Sequence, residues 1–442
     1  MNGKRRLKMK QLTRLFIPIC LETLFYMLSG MVDTLMLSAV GDYAVGAVGT
    51  ANSYIGIFII MFSIISSGMV SVMTQNIGAG RPGVAYQARQ LGLLFNAVAG
   101  VLMAVFLFSG AGAILRMVGI ADALYEPALI YLKIVGGGCI LNAVIPIFSS
   151  YLRAFGYTKQ PLYGTIVGNI ANFVMNAVFL FVLHKGVAGV ATATVISKIL
   201  NLCIVLYFSH KLISAKNSTE RIANKTVLGQ IVKVGLPSAC ETALYNVAMM
   251  LVIRFLNQMD AEGLNVTARS YTATISNFSY CVGAALAQAN AIMTGWHIGA
   301  GELEECDRGT KRAAFVGVCV AVCMETAIVL GSGFIMPLFT DNPEMTALVR
   351  KLLAIDIVLE IGRVTNLVFG QALKTSGDAV FPAVIAAVFM FVFAVGGTWL
   401  FGISMGLMAV GAYIGLASDE CVRAVGMVWR WKTGKWRTKK LV

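Results

Sequence analysis

Charged side chains are scarce in this chain. Only 13% of its 442 residues are Asp, Glu, Lys or Arg, and 58% are hydrophobic, whereas about a quarter of the residues of a typical soluble domain are charged. Acidic residues are the rarer sign, with 21 Asp and Glu against 35 Lys and Arg. This composition excludes an ordinary water-soluble protein, which would need far more polar surface.

The chain also has few histidines, and its cysteines are not spaced in pairs. His184, His210 and His297 are predicted at helix ends or in loops, which argues against a membrane haem enzyme with paired axial histidines inside the bundle. The nine cysteines show no paired metal-ligand spacing, and Cys319 and Cys323 are best explained by small-residue helix packing. We therefore predict no catalytic residues, no cofactor and no structural metal, and we do not expect an enzyme.

Long apolar stretches fill the chain instead. A membrane-spanning helix needs about 20 mostly apolar residues, and twelve such stretches are present. The first stretch is too long for a secretory signal and lacks a small-residue cleavage site. The sequence predicts an all-α integral membrane protein with twelve transmembrane helices. The stretches cover residues 13–37, 45–73, 90–112, 127–149, 161–183, 187–209, 229–256, 264–293, 312–335, 346–371, 380–402 and 406–429.

Basic residues are distributed unevenly between alternate connections. Both terminal tails and most of the Lys and Arg residues fall on one side, and the opposite side holds only Arg116, Lys185, Arg350 and Lys351. The positive-inside rule then places both termini in the cytoplasm, and we expect a bacterial cytoplasmic (inner) membrane. The net charge of +14 is explained by this topology and by contact with anionic lipid, so nucleic-acid binding is not needed to account for it.

The two halves of the sequence repeat each other. Pro18 and Glu22 recur 219 positions later as Pro237 and Glu241, and the segment 77–80 (IGAG) recurs at 298–301. In addition, Arg153-x2-Gly156-x4-Pro161 matches Lys374-x2-Gly377-x4-Pro382. Internal duplication in a very apolar chain is typical of secondary transporters. We predict two six-helix pseudo-symmetric lobes: an N-lobe over residues 1–215, a cytoplasmic linker over 216–225 and a C-lobe over 226–442.

A polar stripe runs along the first predicted helix. Glu22, Tyr26, Ser29 and Asp33 share one face over roughly 16 Å. Carboxylates inside hydrocarbon are costly and mark an ion or proton path by default, although pairing with a neighbouring helix is the structural alternative. A carboxyl group in a poorly solvated site favours its neutral form, so it can exchange protons as its surroundings change.

The fifth predicted helix carries a stripe of amides. Asn169, Asn172 and Asn176 lie on one face, where their oxygens could ligate a cation or where they could bond helices together. Lys198, in the middle of the sixth predicted helix, is the best candidate cationic partner for a carboxylate of the first half.

The second half offers a different set of ionisable residues. Asp356, Glu360 and Arg363 follow one face of the tenth predicted helix, and Glu241 lies one turn after Pro237. These four residues form a candidate C-lobe site, and Glu360 with Arg363 could equally form a structural ion pair. Glu325, in the ninth helix, supports the same interpretation more weakly.

Several short motifs occur in register with the spans and the repeats. Together they make the chain resemble the multidrug and toxic compound extrusion (MATE) family, as a member of a divergent bacterial subgroup. The resemblance implies two six-helix lobes around a central cleft that opens alternately to either side, and it implies ion coupling at Asp33. The motifs are residues 31–36 (MVDTLM) with Gly41 and Gly49, 74–81 (TQNIGAGR), 186–197 (GVAGVATATVIS) and 235–237 (GLP).

The chain departs from the family pattern at three positions. Asn176 replaces the family's second carboxyl group in the fifth helix, and Tyr245 and Arg363 stand where sodium-coupled members have C-lobe acids. The family's C-lobe cation site therefore cannot be transferred residue by residue. We expect ion coupling at Asp33, Glu22, Asn172 and Asn176, with H⁺ as the coupling ion and Na⁺, bound transiently at Asp33, as the alternative.

The resulting hypothesis is an antiporter that exports organic, cationic amphipathic compounds as a functional monomer. The alternative within the same superfamily is a lipid-linked saccharide flippase, which would need cationic groups in the cleft to bind phosphates. Five residues keep that alternative open, namely Lys133, Lys198, Arg254, Arg269 and Arg363. A membrane-embedded enzyme is the third option, and no nucleophile or metal-ligand constellation supports it.

Overall fold

The computed structural model describes residues 2–118, 120–213, 220–260 and 263–442. Over these residues the chain forms thirteen α-helices and no β-strand. The helices are α1 Asn2–Ser38, α2 Asp42–Gly78, α3 Pro82–Val118, α4 Asp122–Gly137, α5 Cys139–Ala154, α6 Lys159–Ala177, α7 Gly186–Leu212, α8 Asn224–Met259, α9 Leu264–Gly299, α10 Leu303–Ile335, α11 Pro343–Ser376, α12 Val380–Phe389 and α13 Met408–Lys432.

These helices account for the twelve predicted spans. Helices α4 and α5 meet at Gly138 with a bend of 41° and together cover the fourth span. π-helical turns extend α6 through Val178–Val182 and α12 through Met390–Val395 and Thr398–Ser404. Eight helices of the described chain are individually long and apolar enough to cross a membrane, and the bent pair makes a ninth. The prediction of an all-α, multi-pass membrane protein with twelve helices is confirmed.

The first compact unit comprises residues 1–235 and therefore includes the first turns of α8. Its core is aliphatic, with Leu107, Leu115 and Leu132 fully buried between α3 and α4. Small residues allow α2 and α8 to touch through their backbones: a Cβ atom added at Gly235 would lie 1.7 Å from the Ile64 carbonyl oxygen.

The second compact unit comprises residues 236–442. Its core joins α8, α9, α11 and α13 through buried aliphatic residues such as Val252, Leu352 and Leu353. Helix α11 passes close to α13 at Gly362, where an added Cβ atom would lie 2.7 Å from the Cys421 backbone nitrogen. This close approach brings the ionisable residues of α11 and α13 together.

The sequence repeats correspond to turns of the same kind in each unit. Gly80 and Gly301 have φ angles of 77° and 76°, and Gly156 and Gly377 have φ angles of 84° and 97°. A positive φ strains any residue with a Cβ atom, so glycine is required at both copies of both turns.

The predicted domain boundaries stay a prediction. The division between compact units falls between Gly235 and Leu236, about ten residues after the predicted start of the C-lobe at residue 226. Residues 214–219, which include most of the first half of the predicted linker 216–225, lie outside the described residues.

Candidate functional site

Asp33 faces a cavity of about 340 Å³ in the first unit. Helix α1 contributes Tyr26, Ser29 and Asp33 to its wall, which is the order expected from their spacing along one helix face. Helix α6 contributes Asn169 and Asn172, and α7 contributes Lys198. The structure thus assembles most of the predicted polar stripes of this half around one space.

Asn176 holds the carboxyl group of Asp33 in place. Its side-chain nitrogen donates to Asp33 Oδ1 at 2.7 Å and to Asn172 Oδ1 at 3.1 Å. Asn176 is fully buried, and its own Oδ1 has no hydrogen-bond partner among the described residues. Three of the four residues predicted for ion coupling therefore form one hydrogen-bonded chain between α1 and α6.

Lys198 places a basic side chain at the same cavity. Its Nζ donates to Asn142 Oδ1 at 2.8 Å, and its ammonium group is near enough to Asp33 to act on it electrostatically. The predicted role of Lys198 as a cationic partner is compatible with this placement, although its direct hydrogen bond goes to an amide.

Glu22, the fourth residue predicted for ion coupling, lies away from this cavity. Its carboxylate pairs with Arg153 of α5 at 2.6 Å, and it is not part of the cavity wall. The second unit repeats the arrangement, because Glu241 of α8 pairs with Lys374 of α11 at 2.8 Å. The acidic and the basic position that recur in the sequence repeat are thus the two partners of one ion pair in each unit.

A second cavity, of about 470 Å³, lies within the second unit. Its wall is strongly charged but balanced in sign. The acidic residues of the wall are Glu241, Asp356, Asp419 and Glu420, and the basic residues are Arg269, Arg363, Lys374 and Arg423.

Most of these charges belong to one network between α11 and α13. Arg363 forms an ion pair with Glu360 and lies 3.8 Å from Glu420. Arg423 bonds Asp419 at 2.7 Å and Glu420 at 2.8 Å. The predicted pairing of Glu360 with Arg363 is present, but it is one link of a longer chain that crosses between two helices.

The buried acid Glu325 of α10 forms a cluster with Asp356 and Glu360 of α11. One carboxylate oxygen each from Glu325, Asp356 and Glu360 lies within 4.8 Å of the other two. Asp419, Glu420 and Arg423 were not recognised from the sequence, although their spacing along α13 places all three near one helix face. No sequence signal could have shown that this face meets α11.

The five cations considered for a saccharide flippase occupy different surroundings. Lys198 lines the first cavity, and Arg269 and Arg363 line the second. Lys133 and Arg254 are exposed on the surfaces of α4 and α8. Only some of the proposed phosphate-binding cations therefore face a cavity.

Comparisons with known proteins agree with this architecture. The MatE family matches the chain twice, over residues 18–178 and 237–400. The chain is 32% identical to the uncharacterized transporter YisQ of Bacillus subtilis over 428 residues, which cover 96% of this chain and 94% of that protein. It is 20% identical to the probable multidrug resistance protein NorM of Thermotoga maritima, over 98% of this chain and 94% of that protein.

Solved structures share the fold. A MATE transporter in its bent conformation matches with a TM-score of 0.84 at 20% identity, over 97% of this chain and 96% of that one. A MOP superfamily transporter from Pyrococcus furiosus, described as having a binding pocket of reversed polarity, matches with a TM-score of 0.81 at 20% identity over the same shares. With two MatE segments in register with two six-span repeats, the chain belongs to the MATE family of transporters.

Proposed function

We propose that this transporter is a cation-coupled antiporter that exports organic, cationic amphipathic compounds by alternating access. The observation that carries the proposal is the placement of Asp33, whose carboxyl group faces a cavity while Asn176 holds it from behind. An intramembrane carboxyl group is expensive and is retained where it binds or moves an ion. An antiporter results if the ion and the substrate favour opposite-facing states of the protein.

The surroundings of Asp33 favour H⁺ as the coupling ion over Na⁺. Lys198 already places a basic side chain in the cavity, and the Asn176 side chain presents its N–H group, not its oxygen, to the Asp33 carboxylate. A hard cation prefers several oxygen ligands, whereas a proton needs only the carboxyl group itself. Transient Na⁺ binding at Asp33 is the alternative, and it would make efflux depend on Na⁺.

The substrate class rests on the relatives and on the aromatic lining. NorM is described as a probable multidrug resistance protein. Tyr26 and Tyr131 stand beside Asp33 in the first cavity, and Tyr245 and Tyr280 line the second. Aromatic faces beside a carboxylate suit organic cations. We further propose that the protein works as a monomer in the bacterial inner membrane, with both termini in the cytoplasm and with no cofactor or nucleic-acid partner.

A transport assay in proteoliposomes tests this function. We expect efflux of a fluorescent cationic dye to be driven by a pH gradient alone, and we expect Asp33→Asn to abolish gradient-driven efflux while dye binding stays measurable. Asp341→Asn, which removes an exposed carboxylate outside both cavities, serves as the matched control. Efflux that requires Na⁺ and ignores the pH gradient would overturn the ion, and an active Asp33→Asn variant would overturn the residue.

One observation favours the flippase alternative. The Nε atom of Arg269, beside the second cavity, is buried without a hydrogen-bond partner among the described residues, as a phosphate-binding guanidinium would be before its ligand arrives. Against it, Arg363, Lys374 and Arg423 are each paired with a carboxylate. Translocation of a fluorescent lipid-linked saccharide that is lost in Arg269→Gln, without dye efflux, would select the flippase.

A further inference from the structure

A short segment that follows α13 folds back against the second unit. Residues 433–442, which we call the strap, turn away from α13 at Gly434, whose φ angle is 71°, and then form a 3₁₀ turn over Lys435–Thr438. Trp436 and Leu441 of the strap are only 1% and 5% exposed. Because burial of apolar side chains is favourable, these two residues hold the strap against the helices.

Two tryptophans join the strap to α13. The rings of Trp431, at the end of α13, and Trp436 stack with a centroid distance of 4.2 Å and an interplanar angle of 9°. The Trp436 indole N–H also donates to the Trp431 carbonyl oxygen at 3.0 Å. A buried aromatic pair gains both from its apolar area and from the attraction between its rings, so this stack anchors the strap.

The start of α10 provides the second contact. Asp307 Oδ1 accepts from the indole N–H of Trp431 at 2.7 Å. Glu304 Oε1 accepts from the guanidinium group of Arg437, in the strap, at 2.7 Å. The first turns of α10 are therefore bound both to the end of α13 and to the strap.

The strap also lies against the turn that follows α11. A Cβ atom added at Gly377 would collide with the Lys439 carbonyl oxygen and would lie 3.2 Å from Leu441 Cδ2. One residue further on, Asp378 accepts from the guanidinium group of Arg430 of α13 at 2.7 and 3.2 Å. The strap thus contacts α10, α13 and the turn after α11 at one end of the second unit.

The first unit holds its corresponding segment at the corresponding helix. Residues 220–223 follow α7, and Glu220 pairs with Arg81, next to the start of α3, at 3.2 Å. Gln87 of α3 donates to the Ile222 carbonyl oxygen at 2.7 Å. Helices α3 and α10 begin 221 positions apart, which is the offset of the sequence repeat. Each repeat therefore binds the segment after its sixth span to the start of its third span.

We propose that the strap clamps α10, α11 and α13 together and thereby holds the wall of the second cavity in shape. These helices carry the ion pairs of Arg363 and Arg423, together with the buried Glu325. The strap is not part of the cavity wall, so it acts only through the positions of the helices. The clamp is independent of the proposed function, whereas its effect on efflux rests on that function.

Cys306 reports whether the clamp is closed. It lies on α10 between Glu304 and Asp307 and is 1% exposed, and Arg437 of the strap is near enough to act on its thiol electrostatically. Regions of a protein open locally as cooperative units. Release of the strap should therefore expose this thiol and the backbone amides around it.

Amide hydrogen exchange of the purified full-length protein tests the clamp. Trp436→Ala removes the stacked ring, so it should raise the exchange rates of residues 307–314 by about tenfold or more. It should also let a water-soluble maleimide modify Cys306, as detected by peptide mass spectrometry. Trp429→Ala, which removes a 58% exposed ring from α13, is the matched control and should leave both unchanged. Wild-type exchange and labelling in Trp436→Ala would overturn the clamp.

An exchange of charges guards against a general loss of folding in Trp436→Ala. Glu304→Arg places like charges beside each other at Arg437 and should raise the same exchange rates about threefold at low salt. Adding Arg437→Glu should return them to the wild-type value, because the pair is restored with its signs reversed. A double variant that exchanges as fast as Glu304→Arg would show that this contact does not hold the strap.

Dye efflux measures whether the clamp matters to the second cavity. Trp436→Ala should lower the efflux rate, and Glu304→Arg combined with Arg437→Glu should keep the wild-type rate. Wild-type efflux in Trp436→Ala, despite faster exchange in α10, would overturn the link between the strap and the cavity. A wild-type protein without efflux would count against the proposed function alone, because hydrogen exchange needs neither substrate nor gradient and decides the clamp by itself.

Discussion

At the scale of single residues, the buried charged side chains of the second unit are held by ion pairs with one another. Arg363 pairs with Glu360 and lies near Glu420, and Glu420 also pairs with Arg423. A network of this kind tolerates the removal of a matched pair better than the removal of one member, because a lone buried charge has no compensation.

This arrangement gives a prediction for Arg363. Arg363→Ala should lower the free energy of unfolding by about 3–5 kcal/mol, since it leaves Glu360 unpaired. Combining Arg363→Gln with Glu360→Gln should recover most of that loss. Melting temperatures of the purified variants provide the measurement, and equal losses in the single and double variants would contradict the pairing.

At the scale of helices, the close contacts between helix backbones and the hydrogen bonds at helix ends determine which positions tolerate substitution. The contact of α8 with α2 requires glycine at position 235, because any Cβ atom would collide with the Ile64 carbonyl oxygen. The same helix contains Gly229, which has open space around it.

Two alanine substitutions on α8 should therefore have opposite effects. Gly235→Ala should lower the free energy of unfolding by roughly 1–3 kcal/mol or more through overpacking, and Gly229→Ala should raise it by up to about 1 kcal/mol through helix propensity. Thermal unfolding in detergent compares the two, and a neutral Gly235→Ala would show that the helices can separate at no cost.

The start of α9 depends on Asp260. Its Oδ1 accepts from the Leu264 backbone N–H at 2.8 Å, and its Oδ2 accepts from the Asn265 backbone N–H at 3.0 Å. Partial burial raises the pKa of Asp260, but the hydrogen bonds from Asn265 and Leu264 outweigh that effect and hold the pKa below its usual value. The ionised form of Asp260 is therefore more favourable in the folded protein than in the unfolded chain.

The pH dependence follows from this lowered pKa. Because the pKa is lower in the folded state, the stabilisation is complete above the usual Asp pKa of about 3.9 and is lost as the pH falls through the lowered pKa. Asp260→Ala should lower the melting temperature equally at pH 8 and pH 5, and the difference from wild type should shrink below pH 4. Asp341→Ala is the control, and a difference that grew on acidification would contradict the assignment.

At the scale of the whole molecule, each repeat contains the same ion pair. Glu22 with Arg153 and Glu241 with Lys374 join the first helix of a repeat to the helix that ends just before the positive-φ Gly156 or Gly377. The pairs are partly buried, so they should couple more strongly than exposed pairs do.

Double-mutant cycles in the two repeats test this correspondence. Gln substitutions at Glu22 and Arg153, singly and together, should give a coupling energy of about 1–3 kcal/mol, and the cycle at Glu241 and Lys374 should give a similar value. Chemical or thermal unfolding supplies the free energies. Coupling in one repeat only would mean that the ion pair has a local rather than a repeated role.

How much of this could be predicted differs between helices and contacts. The positions of the spans follow from the apolar stretches of the sequence and from its internal repeat, and the stripe from Tyr26 to Asp33 follows from helical periodicity. The partners of Glu22 and Glu241 could not be predicted, because the sequence alone places Arg153 and Lys374 in the connections between spans, and only the packing of the helices brings them to the two glutamates. The break at Gly138 could not be predicted either, because a glycine in a membrane helix can serve close packing as well as bending.

The break at Gly138 distinguishes the first repeat from the second. Shifted by the repeat offset of 221, Gly138 corresponds to Leu359, where α11 runs on unbroken between Asp356 and Glu360. By the same shift, those two acids correspond to Val135 and Cys139, on opposite sides of the break. The copies share their turns and their ion pairs but differ along this helix. The first copy therefore has no counterpart of Asp356 and Glu360, so the two halves of one chain carry different ionisable groups on the same pattern of turns and ion pairs.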